Sequence, residues 1–158
     1  MSEAFTSGAS GAAEPQAGGF DLERARAIFE RAAFVRHLGI ELVALERGLV
    51  ETRLAIRPEH LQQDAFIHAG VQTTLADHTA GGAAGTVAPP GFIVLTAELK
   101  INLLRPAVGA WLRCVGRVIK PGRSLIVAEA EVYAPREPDR EVLVAKLMST
   151  LAVVPEPK

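Results

Sequence analysis

Two residues with chemical potential stand side by side in a segment that otherwise offers almost none. Asp77 and His78 lie within His68 to Gly85, HAGVQTTLADHTAGGAAG, where nearly every other side chain is small. No proline interrupts the segment, and its length suits a helix. Gly70, Gly81, Gly82 and Gly85 each cost a helix about 1 kcal/mol relative to alanine. That cost is tolerable where another element must approach the backbone closely. At helical spacing Asp77 shares a stripe with Gly70, Thr73, Thr74, Gly81 and Ala84. The stripe leaves space in front of the carboxylate for a ligand or a second copy of the chain. The opposite stripe, Val71 and Leu75, is apolar and predicts a core-facing side. A solvated helix edge is the competing reading of Asp77 and His78.

The elements that must position this helix follow from periodicity. Residues 1–19 are rich in Gly, Ala and Ser and read as a flexible tail. Residues 20–158 read as one domain. Asp21 is a good N-cap, and Leu22, Ala25, Phe29, Ala32 and Ala33 recur at helical spacing, predicting one amphipathic helix that ends before Gly39. From Ile40 the period becomes two. Strands on either side of Arg47-Gly48 predict a hairpin that Pro58 ends. Glu59 to Ile67 is a connecting loop. After Pro89-Pro90-Gly91, apolar Ile93, Leu95, Ala97, Leu99, Ile101 and Leu103 alternate with Thr96, Glu98, Lys100 and Asn102. That predicts a long strand with one buried face. Trp111 to Lys120, Leu125 to Tyr133 and Glu141 to Val154 read as three more strands, with Pro135 to Asp139 as a polar loop. The expectation is an antiparallel meander of these four strands, twisted around the small-residue helix: an α+β domain.

Composition narrows the function. The chain is 158 residues long and 49% hydrophobic, but only 5% aromatic, so its core must be aliphatic. A formal net charge of −1 argues against binding nucleic acid through overall charge. Cys114 is the single cysteine, which excludes an internal disulfide; in an apolar strand it reads as a buried, inert thiol. No cationic start leads into an apolar run, and no stretch approaches a membrane span, so a cytoplasmic protein without a membrane partner is expected. There is no G-x-S-x-G elbow, phosphate loop or dinucleotide fingerprint. The four histidines form no metal-ligand spacing, so no metal is expected. Between Glu98 and Arg123 lie Lys100, Arg105, Arg113, Arg117, Lys120 and Arg123. They read either as solvated strand faces or as a phosphate-binding surface, with Arg123 beside Gly122 at a turn tip.

The run FIHAGVQTTLADHTAGGAA, then LTAELKINLLRPA, then the Pro-Gly-Arg-Ser turn, resembles the PaaI-type branch of the hotdog-fold acyl-CoA thioesterases. The likeness spans about Leu38 to Val154. It rests on a histidine opening the helix, an aspartate nine positions on, and the E-L-K-I-N-x-L-R-P run. The resemblance implies a hotdog fold, homodimers or homotetramers, and active sites at the subunit interface. It aligns His68 with the motif histidine and Asp77 with the acidic catalyst, as base or nucleophile. Ala69 stands at the first motif glycine, whose backbone N–H forms the oxyanion site, and Gly70 at the second. Gln62 falls where asparagine is frequent, and Thr96 where a polar serine occurs. Coenzyme A, part of the substrate rather than a cofactor, would meet Arg123, Gly122, Ser124, Arg105 and Lys100. Ala69 narrows the acyl entrance by a methyl group, Gln62 is longer than asparagine, and His78 has no counterpart role. Two other activities fit the same residues: an enoyl-thioester hydratase or dehydratase using His68 with Asp77, and a non-catalytic acyl-CoA-binding dimer.

Overall fold

The computed structural model describes residues 22–137 and 140–157. The expected tail and the Asp21 cap lie outside the described residues. The chain runs α1 (Leu22–Arg31), α2 (Ala33–Leu38), β1 (Ile40–Glu46), β2 (Leu49–Ala55), a 3-10 turn (Pro58–His60), α3 (Ala69–Gly85), β3 (Phe92–Leu103), β4 (Trp111–Lys120), β5 (Leu125–Glu137) and β6 (Arg140–Pro155). The strands form one antiparallel sheet in the order β1-β2-β4-β5-β6-β3, curved around α3. This is the hotdog architecture.

The first helix differs from expectation in being two. Ala32 is extended (φ −64°, ψ 109°), and the chain turns there. The Arg36 guanidinium donates to the carbonyls of Glu30 (3.1 Å) and Arg31 (2.8 Å), which the break leaves without helical partners. Gly39, at φ 80°, closes α2 by donating to Val35 and Arg36 carbonyls.

The expected meander is also corrected. β4, β5 and β6 are consecutive neighbours, but β3 pairs with β6 at the far edge, and β4 pairs with β2. Alternation fixes which face a residue occupies, not which strand lies beside it. The buried face expected for β3 is corrected by a bulge between Thr96 and Glu98. Before the bulge Val94 and Thr96 share the helix side with Val153 and Leu151. After it Leu99, Ile101 and Leu103 do so with Ser149, Leu147 and Ala145. Ile93 and Leu95 therefore face away from α3. Leu95, on the outer face, is 54% exposed and Leu103, on the helix side, 48%, so this edge strand leaves apolar side chains open on both faces. A bulge between Leu42 and Ala44 likewise makes Leu45 the buried residue of β1 in place of Ala44. The polar loop expected at Pro135 to Asp139 is largely strand. Beyond Tyr133, β5 has only β6 as partner and bulges between Pro135 and Glu137, where a strand tolerates proline.

α3 lies directly on the sheet. Val71, Leu75, Ala76, Ala80, Ala83 and Ala84 are buried against Val50, Leu54, Leu112, Ile126 and Leu147. At Gly116 the contact is between backbones: a β-carbon there would lie 2.6 Å from the Thr79 carbonyl oxygen. Gly116→Ala should destabilise the protein by about 1–3 kcal/mol through overpacking, read as a lower denaturant midpoint. An unchanged midpoint would mean that helix and sheet are not held at this distance.

Candidate active site

The start of α3 is held by its preceding loop. Ile67 donates to the Ala107 carbonyl and His68 to the His60 carbonyl, each at 2.9 Å. His68, expected to open the helix, is its N-cap. Its Nδ1 accepts from the Gly70 N–H at 2.9 Å, so the neutral ring carries its proton on Nε2. A β-carbon at Gly70 would stand 3.0 Å from that nitrogen, which accounts for a glycine two places after the cap.

Four N–H groups at a helix start lack helical partners. Here Gly70 donates to the His68 ring, and Val71 and Gln72 donate to the His68 carbonyl at 3.1 and 3.2 Å. Among the described residues the Ala69 N–H has no acceptor. It stands at the positive end of the helix dipole, where an anion is stabilised. Ala69 borders a depression of about 320 Å³ together with Gln62, Phe66, Gln72, Leu103 and Arg105. Gln72 is buried there; its Nε2 donates to the Ile67 carbonyl at 3.0 Å, and its Oε1 has no partner.

Eight residues along the same helix, about 12 Å away, Asp77 faces β3. Thr96 Oγ1 donates to Asp77 Oδ1 at 2.9 Å, leaving Oδ2 open. The pair stands at the rim of a second cavity of about 310 Å³, between α3, α1 and the start of β3. His78, next in sequence, turns the other way. Its ring packs on Phe29 with centroids 4.1 Å apart, and its Nε2 lies 3.3 Å from the Phe29 carbonyl oxygen.

The residues singled out in the sequence thus fall into separate groups. Asp77 and Thr96 meet. His68, Ala69 and Gln62 gather at the other end of the helix. Gly122, Arg123 and Ser124 form the β4–β5 turn, anchored where the Ser124 carbonyl accepts from Val153 N–H, at the Val94 end of the sheet. Arg105 lies at the opposite end, its Nη1 donating to the Leu143 carbonyl at 2.8 Å. Lys100 is on the sheet face turned away from α3. Of the other strand cations, Arg113 is held by Glu51 and Glu141, and Arg117 lies 3.8 Å from Glu131. The basic run is therefore not one phosphate surface. Among the described residues no cluster of His, Cys, Asp and Glu could hold a metal ion, and no helix is long and apolar enough to cross a membrane. Sequence reasoning missed three contributors: Gln72, His60, whose carbonyl positions His68, and α1, whose Ile28 and Phe29 wall the cavity. The Phe29 spacing signalled a buried helix face, but nothing in the sequence named what it covers.

A single curved antiparallel sheet wrapped on a capped helix, with a carboxylate beside an apolar cavity, defines a hotdog-fold protein. The thioesterase superfamily model matches residues 65–140, from the loop before α3 to the first residue of β6. A thioesterase family protein from Silicibacter pomeroyi is 34% identical and superposes with a TM-score of 0.81, covering 85% of this chain and 98% of that one. The chain belongs to the thioesterase superfamily. The 1,4-dihydroxy-2-naphthoyl-CoA hydrolase of Listeria monocytogenes serotype 1/2a is 28% identical over 95 residues, 60% of this chain and 77% of that protein. The PaaI protein from the E. coli phenylacetic acid degradation operon shares the fold, with a TM-score of 0.74 at 20% identity over 84% of this chain and 91% of that one.

Burial beneath α1 holds the His78 imidazole below its ordinary value near 6.5, opposed by the Phe29 carbonyl and the Asp77 charge. Between the folded value and about 6.5 the unfolded chain binds the extra proton, so stability is full above that range and is lost as pH falls through it. His60, also pushed down by burial, acts with the same sign. Thermal melts between about pH 7.5 and pH 5 should therefore fall more steeply for the wild type than for His78→Phe. Equal slopes would remove His78 from the account.

Proposed function

We propose that this protein is an acyl-CoA thioesterase whose active site is assembled from two copies of the chain. The carrying observation is the division of the helix. A carboxylate oriented by Thr96 and an N–H without an acceptor are about 12 Å apart on one rigid element. They cannot reach one thioester from the same chain. The open apolar edge of β3 supports pairing with a second copy, as a homodimer or homotetramer. Pairing would bring Asp77 of one copy to Ala69, His68 and Gln62 of another.

In this reading the thioester carbonyl oxygen accepts from Ala69 N–H, which stabilises the oxyanion as it develops. His68 holds the helix start through Gly70, and Gln62 helps position the water. Asp77 Oδ2 either takes a proton from that water, which attacks the carbonyl carbon, or attacks that carbon itself. In both routes the carbon–sulfur bond breaks and coenzyme A leaves as the thiol after taking up a proton. The first route gives the free acid at once, and the second leaves an anhydride on Asp77 that water hydrolyses to the acid and the regenerated carboxylate. The phosphates of coenzyme A fall to exposed cations: Arg123, with Gly122 and Ser124 at its turn, and Arg105 and Lys100, contributed by different copies. The cytoplasm, where acyl-CoA is made and used, is the compartment this reading expects. A hydratase would need the His68 ring as acid or base in the cleft, whereas Nδ1 is engaged by Gly70.

Asp77→Asn should lower thiol release from acyl-CoA by about 10²–10⁴-fold. Ala69→Pro removes the N–H at the first helical position, where proline is compatible with the helix, and the extended His68 (φ −57°, ψ 139°) tolerates a following proline. It should lose about 10²–10³-fold with little change in melting temperature. Co-refolding the two inactive variants should restore about a quarter of wild-type activity, because half the dimers are mixed and each mixed dimer has one intact site. No recovery in verified mixed dimers would overturn the shared site. Tight acyl-CoA binding without turnover in the wild type would replace the thioesterase by a binding protein.

A further inference from the structure

We infer that the cavity under α1 is the acyl site and that it takes an uncharged acyl chain of medium length. This inference rests on the proposed function and specifies its substrate class. Asp77, Gly81 and Gly85 follow one another at intervals of four on a single helix stripe, so the cavity runs about 12 Å from the carboxylate. That length suits a medium-chain acyl group and exceeds an acetyl group several-fold. The cavity holds about 310 Å³, at the small end of ligand sites. Gly81 leaves the floor bare. Ile28 and Phe29, from α1 of the same chain, close one side, and Val94 and Thr96 of β3 close another.

Charge excludes much of the remaining acyl chemistry. Among the described residues no lysine or arginine lines the cavity, and the titratable ones that do are Asp77 and His78. A chain ending in a carboxylate would be desolvated with no cation to meet it and with Asp77 repelling it. The His78 ring is turned to the Phe29 carbonyl rather than offering a charge. The wall on the α1 side is firm, because Phe29 is buried and a β-carbon at Gly82 would lie 2.9 Å from its ring. At Gly81 the situation is the reverse. An added β-carbon meets Leu151 at 3.8 Å, an ordinary contact, so larger substituents there extend into the cavity.

Thiol release should be compared for acetyl-, octanoyl- and succinyl-CoA with wild type, Gly81→Val and Ile28→Trp. For the wild type, kcat/KM on octanoyl-CoA should exceed that on acetyl- and succinyl-CoA by about tenfold or more. In Gly81→Val the octanoyl-to-acetyl ratio should fall by about tenfold or more. Ile28→Trp fills the cavity from the opposite wall, should lower the same ratio, and serves if Gly81→Val does not fold. A ratio unchanged in a folded variant, or succinyl-CoA turned over as well as octanoyl-CoA, would overturn the inference. If the wild type releases no thiol from any thioester, the parent reading fails instead. The cavity is then tested alone with the non-hydrolysable thioether S-octyl-CoA. Its Kd should rise about tenfold in Gly81→Val if the chain lies beside Gly81, and an equal Kd in the two proteins would overturn the assignment.

Discussion

Contact between the α3 backbone and the sheet at Gly116 is the constraint on which the rest depends. A strand can lie that close to a helix only if both surfaces are bare at the crossing point. The approach buries polar groups that must then satisfy one another. Thr79 Oγ1 donates to the Leu75 carbonyl at 2.6 Å, so in the 2.7 Å contact with Thr52 it is Thr52 that donates. Cys114, buried beside this pair, has its thiol pushed up to about 12 by desolvation, which makes it inert at neutral pH. The alanines of the buried stripe follow from the same distance, since larger side chains would lift the helix off the sheet.

The same composition has the opposite effect on the other side of the helix. Where Gly116 and the sheet press in, small residues allow contact. Where α1 stands over the helix and the start of β3, they leave the cavity. Phe29 marks the boundary. Its ring fills the notch at Gly82 and contributes about 1.5–3 kcal/mol by burial, while Gly81, one residue earlier, remains uncovered. Packing on one face and vacancy on the other are therefore one design, set by the order of alanine and glycine along residues 80–85.

This explains which features could be read from the sequence. The small-residue helix, the histidine at its start, the first hairpin and the half-buried aspartate are local, and their signals are periodicity and spacing within a single element. The position of β3 is not local. Its alternation of six apolar residues looked like one buried face, yet the bulge at Thr96 and Glu98 reverses the phase halfway, and an edge strand has only one neighbour to cover it. The break at Ala32 carries no proline or glycine signal; it follows from Arg36 satisfying the carbonyls of the preceding turn. The scattered cations were legible as residues but not as a surface, because register decides which of them face Glu51, Glu131 and Glu141. Gln72 and the α1 wall needed the tertiary structure outright.

The division of the site along α3 has a consequence for how the molecule works. Loop motion can close a gap between elements, but no motion brings two points of one intact helix together. The Ala69 N–H and the Asp77 carboxylate are fixed apart for as long as α3 exists. In the proposed reaction, then, association of copies is a condition of chemistry and not only of stability. The exposed leucines of β3 link the two, since the surface that gains by being covered borders Thr96 and so the carboxylate it orients. In that reaction, a chain that separates from its partner would lose the oxyanion donor at the moment it exposes its apolar edge. Activity should accordingly fall with dilution along the same curve as dimer population, by mass action rather than by unfolding.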